Sequence, residues 1–201
     1  MSNTIDAASQ LSPEACDRAD MERLCSGHDA ALNDLMERHA TPLFHFLCRM
    51  VGNEEDANDL AQETFVRVFK SCKSFRAEQK FSTWLFTIAA NLARNHFRWR
   101  SRHPTLSLDA ESGESEQTLG STLPANSPAP NEAVLTTERA AAVRVAVGKL
   151  PEDLREAIVL CEWEEHSLAA AASILETTPK AVESRLYRAR KILREQLKNW
   201  L

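Results

Sequence analysis

A segment that cannot fold sets the architecture of this chain. From His103 to Asn131 the sequence interleaves Pro104, Pro124, Pro128 and Pro130 with serines, glycines and the acids Asp109, Glu111, Glu114 and Glu116. Its large apolar side chains are four scattered leucines, Leu106, Leu108, Leu119 and Leu123. Such a stretch buries too little surface to offset the entropy lost on ordering it, so a flexible acidic linker is expected. It splits the 201 residues into two blocks, each the size of a small domain. The expected divisions are a disordered tail over 1–18, a first domain over 19–102, the linker over 103–131, and a second domain over 132–201.

Both blocks read as helical. Aromatics and glycines are few while Ala, Leu, Glu and Arg are abundant, which favours an all-α chain. Apolar residues at Leu32, Leu35, Met36, Leu43, Phe44 and Leu47 recur at helical spacing, predicting a helix over 29–51 with a disturbance at Pro42. Gly52 ends it and Asn53 caps the next helix, whose inner face is Ala57, Leu60, Ala61, Thr64, Phe65, Val68 and Phe69. A loop over 71–82 leads to a third helix over 83–102, with Leu85, Ile88, Ala89, Leu92 and His96 on the buried side. In the second block, Pro151 suits the first turn of a helix running to about 163. A short helix over 168–175, a break at 176–178 and a long helix from Pro179 follow. Thr178 as N-cap with Pro179 behind it defines that last start.

The net charge of −5 hides a segregation. Residues 1–64 hold thirteen acidic side chains and four basic ones, whereas 79–108 hold five basic and no acidic ones. Residues 176–201 hold seven basic and three acidic. Two basic segments in two domains point to two contacts with a phosphate backbone. In the first, Thr87, Asn91, Arg94 and Arg98 fall at i, i+4, i+7 and i+11, so they project to one side of their helix. In the second, Val182, Leu186, Ala189 and Leu193 form an apolar back, with Lys180, Ser184, Tyr187, Arg188 and Lys191 largely opposite. A capped helix of this kind, paired with a short helix before it, suits the major groove, where Arg and Ser read base edges.

Taken together, the two blocks resemble one family. The string Asp56-Ala-Asn-Asp-Leu-Ala-Gln-Glu-Thr-Phe65, then Ser74-Phe-Arg, then Phe81-Ser-Thr-Trp-Leu-Phe-Thr-Ile-Ala-Ala-Asn-Leu-Ala-Arg-Asn95 is similar to the second conserved region of extracytoplasmic-function (ECF) sigma factors, in the sigma-70 family. Leu150-Pro-Glu-Asp-Leu-Arg-Glu156 and Ala181-Val-Glu-Ser-Arg-Leu-Tyr-Arg-Ala-Arg190 resemble that family's fourth region. The resemblance implies a region 2 helical bundle and a region 4 helix-turn-helix. It implies that Asp56, Asp59, Leu60, Gln62, Glu63 and Phe65 dock on core RNA polymerase. It implies that Phe75, Arg76, Phe81, Trp84, Thr87, Asn91, Arg94, Asn95, Arg98 and Arg100 hold the melted −10 element. Aromatics and amides suit that task because an unstacked base needs a stacking partner and edge hydrogen bonds. At least one of Phe81, Trp84 and Phe86 is nonetheless expected to be core. Lys180, Ser184, Arg185, Tyr187, Arg188 and Lys191 would meet the −35 element. The partners implied are core RNA polymerase, promoter DNA and an anti-sigma factor, which in this family is often membrane-anchored.

Several classes fall away. The N-terminus has no basic start followed by an apolar run, and no stretch approaches the roughly twenty apolar residues of a membrane span. A soluble, cytoplasmic protein without direct membrane insertion is therefore expected, with Cys16, Cys25, Cys48, Cys72 and Cys161 as reduced thiols. Cys25-x-x-His28 and His45-x-x-Cys48 carry zinc-type ligands, yet Cys is common in helical cores, and neither a metal nor another cofactor is expected. No glycine-rich phosphate loop and no nucleophile beside a base appears, so no enzyme is expected. An autonomous helix-turn-helix regulator is the main alternative, and a helical enzyme binding a phosphorylated substrate a more distant one.

Overall fold

The computed structural model describes residues 12–76, 78–103, 130–198 and 200. The first helix, α1 (Pro13–Cys25), starts where Ser12 Oγ accepts from the Ala15 amide and Pro13 fills the first turn. This corrects the expected disordered tail, which was drawn to residue 18; residues 1–11 of it lie outside the described residues. The polar character of 13–18 misleads because its partners lie on another helix. Asp17 is buried and accepts from Arg38 Nε and pairs with His39 Nε2, both at 2.9 Å. Burial alone would raise its pKa, but the hydrogen bonds and charges of His39 and Arg38 outweigh it and hold the carboxyl below its ordinary value.

Helix α2 (Ala31–Val51) passes through Pro42 and ends at Gly52, whose φ of 75° lies in the left-handed region that glycine enters without a Cβ penalty. Asn53 then caps α3 (Glu54–Ser71) by accepting from the Glu55 amide at 2.8 Å. A single 3₁₀ turn, Cys72–Ser74, leads towards α4 (Phe81–Arg102), which begins two residues before the expected Thr83. Leu35, Leu43, Phe46, Leu47, Met50, Val68, Leu85 and Ala89 are fully buried between these helices. Ile88, placed on the inner face by its spacing, is only partly buried, while Phe81 and Phe86 are core.

The second block comprises α5 (Pro130–Gly148), α6 (Glu152–Ile158) running into a π turn at Val159–Trp163, α7 (Leu168–Ile174) and α8 (Pro179–Gln196). The expected linker therefore cedes its last two residues to α5, and 104–129 lie outside the described residues. Ser167 caps α7 through the Ala170 amide, and Thr178 caps α8 through the Ala181 amide, each at 3.2 Å. Ala171, Ile174, Val182 and Ala189 are fully buried where α7 crosses α8. That pair is the helix-turn-helix anticipated from the spacing.

The linker reading left the two blocks uncoupled, and here the structure differs. Helix α4 packs against α7, and α2 against α5 and the π turn. Arg155 Nη1 donates to the Met50 carbonyl at 2.6 Å, while Nη2 reaches the carbonyls of Gly148 and Leu150. Its guanidinium also lies 5.5 Å from the Phe97 ring centre. Arg49 sits over Trp163 at 5.7 Å, and the rings of Phe86 and His166 meet edge-on at 4.9 Å. The pairings that cross between the blocks join residues far apart in sequence, from Phe97–Arg155 to Arg49–Trp163, so no local pattern announces them.

Candidate nucleic-acid and polymerase interfaces

The α4 face is built by the 3.6-residue repeat. Leu85, Ala89 and Leu92 turn inward, which leaves Thr87, Asn91, Arg94 and Arg98 on the opposite side. Yet most of these groups already have partners. Thr87 Oγ1 donates to the Thr83 carbonyl at 2.8 Å. Arg94 Nη1 donates to Asn91 Oδ1 at 2.8 Å, and Arg94 Nε donates to Glu156 Oε1 at 2.6 Å. Asn91 Nδ2 reaches Glu176 Oε1 at 3.5 Å. Arg98 is exposed and leans on Asn95 Oδ1 at 3.4 Å. Arg100 is exposed beside Asp56, also at 3.4 Å.

Glu156 is only 4% exposed, and burial raises its pKa against the opposing pull of Arg94. Arg94 and Arg185, with Glu152, Asp153, Glu156 and Leu175, line a cleft of about 430 Å³. Arg94 Nη2 is buried there without a hydrogen-bond partner. The Asn91–Arg94 part of the stripe is therefore half-buried at the seam between the blocks, a setting the sequence did not disclose.

At the start of α4 the aromatics form one cluster. Phe75 lies 5.3 Å from Trp84, and Phe81 lies 6.2 Å from each of them. Phe81 is 3% exposed and forms the floor, as anticipated for at least one aromatic. Phe75 and Trp84 are half-buried and Arg76 is exposed, so those three remain open to a ligand. Two thirds of a helix away, Trp99 is 55% exposed and stacks on His103 at 5.1 Å. That residue was overlooked, although an aromatic between Arg98 and Arg100 is itself a sequence signal.

On α3, Asp59 and Gln62 are exposed, while Glu63 pairs with Arg67 at 2.8 Å in an i, i+4 bridge. Asp56 is half-buried beside His96 and Arg100. Leu60 packs partly against the core. Phe65 is 5% exposed and belongs to the core, which corrects its implied place among the polymerase contacts. Its spacing from Ala57 and Val68 put it on the inner face, and that periodicity prevails. Outward on the same helix stand Val66 and Phe69, both exposed and both missed as surface groups.

The front of α8 is open. Lys180, Ser184, Tyr187, Arg188 and Lys191 are exposed, Tyr187 at 71%. Arg185 is half-buried, and Arg185 and Arg188 each stand 3.8 Å from Asp153, a loose contact. Among the described residues, no three His, Cys, Asp or Glu side chains gather in a way that could hold a metal ion. Burial, with Cys72 beside it, pushes the Cys25 thiol up to about 11. Burial, with Glu54 nearby, pushes Cys48 likewise up to about 11. No helix among the described residues is long and apolar enough to cross a membrane.

Two linked helical units, one carrying a basic aromatic helix and the other a helix-turn-helix, define a DNA-binding protein of the transcription machinery. The family model for sigma-70 region 2 matches residues 35–103, and that for sigma-70 region 4 matches residues 140–193. The ECF RNA polymerase sigma factor SigW of Bacillus subtilis is 34% identical over 89% of this chain and 95% of its own. The solved structure of CnrH in complex with the cytosolic domain of CnrY is 28% identical, covers 92% of this chain and 98% of that one, and superposes with a TM-score of 0.66. RpoE of Bartonella quintana, solved with the anti-sigma factor NepR, is 27% identical over 83% of this chain and 96% of its own, with a TM-score of 0.64. The chain belongs to the ECF family of RNA polymerase sigma factors, which are initiation factors in transcription.

Proposed function

We propose that this sigma factor divides its task between the two faces described above, with boundaries near 19–102 for region 2 and 132–201 for region 4. Asp59, Gln62 and Glu63 on α3 meet the clamp of core polymerase, where an acidic helix face complements a basic partner. Asp56 and Leu60 border that contact, and Phe65 supports it from within. Phe75, Arg76 and Trp84 receive unstacked bases of the −10 element over the Phe81 floor. Asn91 and Asn95 supply edge hydrogen bonds, and Arg94, Arg98 and Arg100 hold phosphates. The front of α8, with Ser184, Arg185 and Arg188 at its centre, enters the major groove at the −35 element. Lys180, Tyr187 and Lys191 flank it. The chain performs no chemistry of its own, acts in the cytoplasm, and is restrained by an anti-sigma factor.

The observation that carries this reading is the exposed front of α8, capped by Thr178, on a domain separate from the α4 stripe. Neither face alone neutralises many phosphates, and the acidic 1–64 segment repels DNA. The free chain should therefore barely shift promoter duplex at physiological salt, and a specific complex should form once core polymerase is added. Asp59→Lys with Glu63→Lys should abolish that gain while leaving the helical circular-dichroism signal intact. Tight, sequence-specific binding by the free chain, indifferent to core, would favour an autonomous regulator instead.

A further inference from the structure

We infer that Trp99, stacked on His103 at the end of α4, caps the last base pair of the promoter duplex upstream of the melted segment. The inference rests on the −10 assignment proposed above and adds a residue to it. Trp99 is 55% exposed, yet its ring is held. The indole and the His103 imidazole lie 5.1 Å apart between centres, with 23° between their planes. His103 Nδ1 donates to the Trp99 carbonyl at 3.0 Å, which fixes the imidazole in turn. The indole is thus oriented from one side while over half of the residue stays open to a ligand.

The surroundings name that ligand. Arg98, Arg100 and Arg102 are exposed on either side of Trp99, and no acidic side chain occurs over 79–108. Asp56 approaches Arg100 at 3.4 Å, whereas Arg98 leans on the neutral Asn95. A helix C-terminus carries partial negative charge and repels phosphate unless cations outweigh it, and these arginines supply them. An aromatic face among guanidinium groups suits a base together with its phosphates.

Position along the helix decides which base. Trp84, Asn95, Trp99 and Arg102 stand at i, i+11, i+15 and i+18, one side of an α-helix. At 1.5 Å per residue, Trp99 lies about 22 Å beyond Trp84. That distance is roughly six base steps of 3.4 Å. After Arg102 the chain goes on to the domain assigned to the −35 element, so this end of α4 faces upstream. Phe75 and Trp84 then take unstacked bases downstream, and Trp99 meets the point where pairing resumes. Strand separation strips the last pair of a stacking neighbour, and an indole replaces it whatever the base, because every base has a π face.

The test uses holoenzyme and two labelled probes from a promoter whose melted segment is mapped by permanganate. One is a fork, with the upstream duplex intact and the non-template strand single through the melted segment. The other is that single strand without the duplex. Trp99→Ala should weaken fork binding about tenfold, as loss of one stacked base does, and leave the single strand unchanged. Trp99→Phe should recover most of the loss, since a smaller ring still stacks. His103→Ala frees the indole and should cost about threefold, on the fork alone.

Circular dichroism and affinity for core polymerase without DNA are measured for each variant. Equal weakening on both probes would put an unpaired base on Trp99 and overturn the cap. Unchanged fork binding overturns it too, leaving the ring as a partner for His103 only. Lost affinity for core polymerase in Trp99→Ala would make the residue a polymerase contact instead. The −10 assignment is judged apart, by Arg76→Ala with Asn95→Ala on the single strand. Undiminished binding there sinks that assignment whatever Trp99 does.

Discussion

Helices α4 and α8 carry the same design, an apolar back and a basic front, and meet different surroundings. In α8 the back packs within its own domain through Val182, Leu186 and Ala189, and the front stands free. In α4 the back packs equally well, but Asn91 and Arg94 are met by acids of the other block. The difference teaches that amphipathic spacing tells which way a face points and nothing about what arrives to cover it. A basic stripe in sequence is an offer to any anion, and the nearest anions here belong to the same chain.

The sharpest break of the comparison lies between neighbours on α8. Leu186 is 4% exposed and Tyr187 is 71% exposed. Leu186→Ala should destabilise the second domain by about 2–5 kcal/mol, whereas Tyr187→Ala should leave stability within about 0.5 kcal/mol. Thermal unfolding followed at the helical band separates them. Equal losses would mean the helix does not pack as described.

A smaller effect should mark the free front. Ser184→Ala or Arg188→Ala should cost about 1–3 kcal/mol at one or two base pairs of the upstream element and little elsewhere. Holoenzyme binding to a set of single-base promoter variants reads this. Uniform weakening across the set would assign these residues to phosphate alone.

Smaller again is the difference between the two helix starts. Thr178 caps α8 with its side chain, whereas Lys80 precedes α4 without a side-chain cap. Thr178→Ala should cost about 1 kcal/mol in a denaturant titration. Lys80→Ala should cost almost nothing on this count, since no cap is lost.

The least effect expected is on the seam as pH changes. Burial pushes Glu164 up to about 7 even with Arg49 opposite, while burial, helped by Lys80, pushes His166 down. A carboxyl whose pKa is raised on docking favours the docked form at low pH. That advantage fades as pH rises from Glu164's ordinary 4.5 to about 7 and stays constant above. Scattering of the parent chain between about pH 5 and pH 8 should therefore show slight expansion with rising pH, levelling near neutrality. Glu164→Gln should remove the trend.

Much of this molecule was legible in its sequence because the signals were local. Thr178 and Pro179 marked the start of α8, Gly52 and Asn53 marked the α2–α3 corner, and the family strings fell within the segments that match sigma-70 regions 2 and 4. The misses share one cause. Asp17 looked like part of a solvated tail because Arg38 and His39 lie twenty residues on. Arg94 looked free because Glu156 lies sixty-two residues on. Phe65 went astray differently: the family string outvoted a periodicity that had already turned it inward.

The covered stripe on α4 also bears on how such a protein moves through a cell. A genome offers about 10⁶–10⁹ non-specific sites, and a chain that displayed both basic faces would spend its time bound to them. With Arg94 engaged by Glu156, the chain has one cation fewer to release counterions from random duplex. Each cation paired within the chain lowers the affinity for random duplex and steepens the advantage of a specific site.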